Sequence, residues 1–187
     1  MTKILITGNP AVGLAKSMND IWPNAAFASR VNGWDLTDDQ RKRDLATEAL
    51  NYDVFINNSA LWKYHQTLLL KTVYTAAKTA GHPLRIVCIG STTDRTSKGN
   101  DWLYHHEKKA LRDYCNSLSL LGIWGGGPKV TLLSFGTLSN NQHKHPDRKC
   151  IDIDTAAGYV KWILDQPIEL GINELSIDPT QEVANVK

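Results

Sequence analysis

Short apolar runs of strand length recur from end to end of the chain, and each is followed by a segment of helical character. The runs predict strands at Lys3–Thr7 (KILIT), Ala25–Ser29 (AAFAS), Asp53–Asn57 (DVFIN), Arg85–Gly90 (RIVCIG), Lys129–Ser134 (KVTLLS) and Glu174–Ile177 (ELSI). Between them, helices are predicted at Gly13–Asn19, Asp38–Ala49, Tyr64–Ala80, Asp101–Leu121 and Thr155–Leu164. Some boundaries carry their own chemistry. Thr37-x-x-Gln40 reads as a capping box, its hydroxyl and amide satisfying free helix N–H groups. Gly81 and Gly122 are placed to end helices in a left-handed conformation, and Pro83 prevents the first of these helices from restarting. Strands that alternate with helices imply a parallel sheet covered on both faces, as the near-continuous apolar character of IVCI and VTLL also requires. No repeat or linker interrupts the pattern, so residues 1–187 are read as one domain.

The ends of the predicted strands carry the polar and small residues. The first strand runs into Thr7-Gly8-Asn9, followed by Pro10-Ala11-Val12-Gly13-Leu14-Ala15. A glycine-bearing turn between a strand and a helix lets backbone N–H groups and the helix N-terminus approach a pyrophosphate. The second strand ends Ser29-Arg30, with no acid to hold a ribose hydroxyl and a cation suited to a 2′-phosphate; Lys16 on the first helix is a second phosphate candidate. Asp35-Leu36-Thr37 opens the next helix, and the third strand enters the small, polar run Asn57-Asn58-Ser59-Ala60. The fourth strand leads to Ser91, and the fifth to Phe135-Gly136-Thr137.

Two Tyr-x-x-x-Lys patterns occur, Tyr74…Lys78 and Tyr104…Lys108. Chance alone supplies about 0.4 such pairs in a chain of this composition, so context must choose between them. Only Tyr104 lies on the helix after the strand that ends at a serine, Ser91. Positions i and i+4 share a helix face, which brings the Lys108 ammonium to the Tyr104 phenol. A nearby cation favours phenolate and lowers the phenol's pKa towards the range useful for proton transfer. A serine hydroxyl can stabilise an oxygen on which charge develops.

In this order the motifs resemble those of the short-chain dehydrogenase/reductase family, from residue 3 to about residue 178. The thirteen-residue spacing from Ser91 to Tyr104 is the family's spacing between its serine and tyrosine. The resemblance implies a Rossmann-like, doubly wound α/β sheet and an NADP-dependent oxidoreductase. Hydride would pass between NADPH and a small carbonyl or alcohol substrate, with NADP(H) preferred over NAD(H). It gives Tyr104 the proton, Ser91 the substrate oxygen, and Lys108 both the tyrosine and the nicotinamide ribose. It places Gly8, Asn9, Gly13, Leu14, Ser29, Arg30, Asp35, Leu36, Asn58, Ser59, Ala60, Gly136 and Thr137 along the cofactor, together with Tyr104 and Lys108.

There are departures. Ala15 and Ala60 stand where the family has glycine, and Phe135 stands where it has proline. The family's relay asparagine is missing, with His65 or Gln66 as possible substitutes. The helix and strand usual before the D-L-T segment are absent, so about six strands are expected, the seventh being lost from a sheet edge. The same resemblance implies a homodimer or homotetramer that pairs the helices Tyr64–Ala80 and Asp101–Leu121. Other readings on this scaffold are a non-catalytic NADP-binding redox sensor and a sugar-nucleotide epimerase or dehydratase.

Composition narrows the picture further. The net charge is +2 and the basic residues are scattered, which gives no arm for nucleic acid. No apolar stretch suits a signal peptide or a membrane span, and Cys88, Cys115 and Cys150 read as reduced thiols of a cytoplasmic protein. His143, His145, Asp147 and Cys150 form a poor metal set, and no metal is expected. Residues 138–150 are instead placed as a substrate lid, and Thr92–Asn100 as the substrate-side loop. His105 and His106 are read as surface residues, and Trp62, Trp102 and Trp124 as packing residues, the first two bordering the pocket.

Overall fold

The computed structural model describes residues 2–95, 101–125 and 127–180. One sheet holds six strands: β1 (Ile4–Thr7), β2 (Ala26–Ala28), β3 (Val54–Asn57), β4 (Arg85–Ser91), β5 (Lys129–Phe135) and β6 (Glu174–Ile177). Their order is β2-β1-β3-β4-β5-β6, and every pairing is parallel. The helices are α1 (Gly13–Ile21), α2 (Asp39–Glu48), α3 (His65–Thr79), α4 (Leu103–Gly125) and α5 (Ile153–Asp165). The six-strand expectation is met, and β2 forms one edge of the sheet.

Period-two alternation of the strands divides the interior into two cores. Leu5, Phe55, Ile86 and Leu132 face α2, α3 and α4, where Leu45, Leu69, Val73 and Leu111 meet them. Ile6, Ile56, Val87 and Leu133 face the other way, against Leu14 and Met18 of α1 and Val160 and Ile163 of α5. Both faces are dry, so the helices are held by burial and not by propensity. Arg85 ties the second layer down by donating to the carbonyls of Ile163, Leu164 and Gln166 at the end of α5.

Gly81, at a φ of +64°, ends α3: its N–H donates to Lys78 and that of His82 to Ala77, the crossed pair of a Schellman turn. Two predicted boundaries change. Asp38, not Thr37, caps α2 by accepting from the Arg41 N–H, and the Thr37 hydroxyl donates to Asp35. Gly122 does not stop α4, which continues to Gly125. A Cβ at position 122 would lie 3.0 Å from the Pro128 carbonyl, so this glycine serves close packing.

Candidate active site

Because all strands run the same way, their C-terminal ends share one edge of the sheet, and the loops that follow build a crevice there. Thr7 fastens its floor. Its buried hydroxyl accepts the N–H groups of Asn58 and Ser59, while Asn58 Nδ2 donates to the Thr7 carbonyl. Gly8, at a φ of +135°, passes so close that a Cβ would lie 2.8 Å from Asn58 Nδ2 and 3.1 Å from the Ala15 Cβ. The Asn9 side chain accepts from the Ala11 N–H and so shapes the turn into α1. Gly13 opens that helix at a φ of +56°, and no side chain caps its first N–H groups. An uncapped N-terminus behind a glycine turn fits a pyrophosphate.

Replacing Gly8 with alanine therefore strains the turn twice, through its dihedral and through Asn58. We expect Gly8→Ala to cost about 1–3 kcal/mol of stability, read by urea unfolding, and to weaken nucleotide binding.

The remaining nucleotide candidates surround this turn. Ser29 is held by Asn32, which accepts from its hydroxyl and its N–H. Arg30 is largely exposed and lies 3.5 Å from Asp35, whose carboxylate also accepts two hydrogen bonds from Thr37. Those Thr37 bonds, more than the guanidinium, hold the Asp35 carboxyl below its ordinary range. Leu14 and Leu36 bury their side chains in the two cores, leaving only their backbone for contact with a ligand. Lys16 pairs with Asp20 at 2.8 Å. Ala60 lines a small cavity with Tyr104 and Lys108. Gly136 donates to the Ile177 carbonyl, and the Thr137 carbonyl accepts from Ile151.

At the other end of the crevice, Ser91, Tyr104 and Lys108 come together. Ser91 closes β4 with its hydroxyl near enough to the Tyr104 phenol to favour the ionised form. Lys108 lies one turn further along α4, its Nζ 5.4 Å from the centre of the phenol ring. Tyr74, by contrast, is buried in the first core, and Lys78 is exposed. Burial pushes the Tyr104 pKa up, Glu107 and Asp94 add to this, and the Ser91 hydroxyl opposes it. The expected lowering by Lys108 is not found. Desolvation dominates, and it acts on Lys108 as well, bringing that ammonium down to about 8.

Gln66 organises these groups. Its Oε1 accepts from Lys108 Nζ at 2.7 Å, and its Nε2 donates to the carbonyls of Asn57 and Ile89, each at 3.0 Å. Lys108 has a second acceptor in the Ile89 carbonyl at 3.3 Å. Of the two substitutes named for the missing asparagine, only Gln66 reaches Lys108; His65 Nδ1 lies 2.9 Å from the ammonium of Lys42.

Sequence reasoning missed Glu107. This buried carboxylate, between Tyr104 and Lys108 in sequence, accepts from the backbone N–H groups of Lys63 and Tyr64. Both of those residues have positive φ, and the contact fixes the turn that carries Trp62 past Tyr104. His105 is a correction. It is buried, its Nδ1 2.6 Å from the Thr93 carbonyl, because the helix face next to Tyr104 is covered by the turn Thr92–Arg95; His106 is exposed. Residues 96–100 of the predicted substrate loop lie outside the described residues. The predicted lid folds over the turn that opens α1, placing Asn140 Nδ2 3.2 Å from where a Gly13 Cβ would lie. Trp62, Trp102 and Trp124 are all exposed rather than packed away.

No family profile matches the sequence, and no curated protein does. Solved structures do. A serine dehydrogenase in its closed form with NADP+ superposes with a TM-score of 0.73, covering 98% of each chain at 16% identity. The chain has the fold of the short-chain dehydrogenases and reductases. A short-chain dehydrogenase from Burkholderia cenocepacia with NADP gives a TM-score of 0.72 over 94% of this chain and 88% of its own, at 13% identity. An NADH-dependent reductase of alginate metabolism gives 0.67 over 95% of both chains, at 15% identity. In this fold the crevice at the strand ends is also where the sequence motifs fall.

Proposed function

We propose that the chain is an NADP(H)-dependent oxidoreductase of the short-chain dehydrogenase/reductase type that converts a small carbonyl compound to its alcohol. The observation that carries this reading is the convergence of the Ser91 hydroxyl, the Tyr104 phenol and the Lys108 ammonium beside the crevice. A bound nicotinamide dinucleotide would supply the hydride. The chain's own groups do the rest. Ser91 donates to the substrate oxygen as charge develops on it, and Tyr104 delivers the proton that completes the alcohol. Burial favours the protonated Tyr104 phenol, the form that donates a proton. Lys108 would hold the nicotinamide ribose beside the phenol, and it carries its charge below about 8.

NADP(H) is favoured by Arg30, at the end of β2, where a guanidinium can pair with a 2′-phosphate. Structural neighbours described with NADP+ or NADP support that choice, although one neighbour is NADH-dependent. Thermal-shift titration tests it. NADPH is expected to stabilise the protein more than NADH, and Arg30→Asp is expected to erase the difference. A wild-type preference for NADH contradicts the assignment.

For assembly we propose a homodimer through α3 and α4, whose outer surfaces expose Leu68 and Leu103. Sedimentation of a monomer alone at micromolar concentration would count against it. No described helix is long and apolar enough to cross a membrane.

A further inference from the structure

Two indoles crowd the reacting phenol. The ring centre of Trp102 lies 5.0 Å from that of Tyr104, and the ring centre of Trp62 lies 5.5 Å away, both tilted to the phenol. Each contact leaves much of the indole uncovered: Trp62 is 58% exposed and Trp102 53%. Burying such large aromatic surfaces is favourable, so holding them half-open beside a catalytic hydroxyl points to a ligand that covers them. Neither residue is on the loop by accident of flexibility. Glu107 pins the turn that follows Trp62, and Trp102 immediately precedes α4.

The charges around Tyr104 select among possible ligands. Lys108 and Glu107 are buried side by side in sequence on α4 and carry opposite charges that act on each other, so their fields offset and neither sign of substrate charge is selected. The Lys108 ammonium already lies against the phenol ring, where a second cation would meet repulsion.

We infer that Trp62, Trp102 and Tyr104 form an aromatic wall selecting a neutral carbonyl compound with a flat aromatic group one carbon away from the reacting carbon. This rests on the reductase reading and adds the substrate class to it. Offset or edge-on contact with aromatic rings favours an aromatic ring over an aliphatic ring of equal size by about threefold for each pair. Two such contacts correspond to about a tenfold preference.

Phenylacetaldehyde and cyclohexylacetaldehyde provide the test, because in both the carbonyl is unconjugated and only the ring differs. With NADPH saturating, kcat/KM is expected to be about tenfold higher for the aromatic aldehyde. The ratio should fall towards one in Trp62→Leu/Trp102→Leu and persist in Trp62→Phe/Trp102→Phe, which keeps aromatic faces at both positions. Equal rates in the wild type, a ratio that survives the leucine substitutions, or preference for the cationic betaine aldehyde would overturn the inference and leave the reductase reading standing. Absence of NADPH oxidation with any of the three aldehydes would overturn both.

Discussion

Tyr104→Phe is expected to lower kcat/KM for carbonyl reduction by about 10²–10⁴-fold, the range associated with loss of a positioned general acid. The substitution deletes one oxygen and keeps the ring, so the contacts with Trp62 and Trp102 and the cation–π approach of Lys108 persist. Substrate and NADPH affinity should therefore change little, and the loss should fall on kcat. Steady-state kinetics with an NADPH titration by fluorescence separates the two. Unchanged turnover would mean that the proton comes from another group. Ser91→Ala should be the milder lesion in kcat, because the phenol still reaches the oxygen that Ser91 had helped to hold.

The second large effect is one of stability. Gln66→Leu removes the 2.7 Å acceptor of a fully buried ammonium and the donor to two buried carbonyls, those of Asn57 and Ile89. Leaving the ammonium with only the 3.3 Å Ile89 carbonyl, and two buried carbonyls without that donor, costs about 1–3 kcal/mol for each unsatisfied group. Adding Lys108→Met removes the stranded charge, so the double variant should recover a large part of that loss. Additive single effects in urea unfolding would contradict this coupling.

Lys108 also predicts a pH dependence. Its pKa falls from 10.5 when unfolded to about 8 when folded, so between these values the unfolded chain binds the extra proton. Stability therefore rises with pH through that window relative to Lys108→Met, by about 3 kcal/mol across it, and the full penalty of the buried charge stands below about 8. A gap between wild type and variant that stays constant from neutral to alkaline pH would show that Lys108 is not desolvated as its position implies.

The fold was readable because strand-length apolar runs such as RIVCIG and KVTLLS are buried on both faces, and the sheet carries them at the predicted places. Local rules misplaced two boundaries. The Thr37 hydroxyl turns to Asp35, and the chain enters α2 one residue later with Asp38 as its cap. A glycine signal at 122 was packing against Pro128, not helix termination. The convergence of Ser91, Tyr104 and Lys108 was legible because strand ends and helix periodicity are sequence-local quantities, and the family's spacing chose between the two Tyr-x-x-x-Lys pairs.

Glu107 was not, since its partners Lys63 and Tyr64 lie on a loop preceding another helix, and only tertiary structure brings them together. Gln66 could be narrowed only to one of two adjacent residues, because the turn of α3 that aims one inward and the other at Lys42 is set by packing. His105 looked like surface for the same reason, its cover coming from the turn after β4.

The central claim is that this crevice passes a hydride to a carbonyl carbon. NADPH deuterated at the transferable position of its nicotinamide ring, incubated with phenylacetaldehyde and the protein, tests it in one product analysis. One deuterium on the carbinol carbon of the alcohol, absent when Tyr104→Phe replaces the wild type for the same time, is the predicted result. Unlabelled alcohol, or aldehyde recovered unchanged beside intact NADPH, would contradict it.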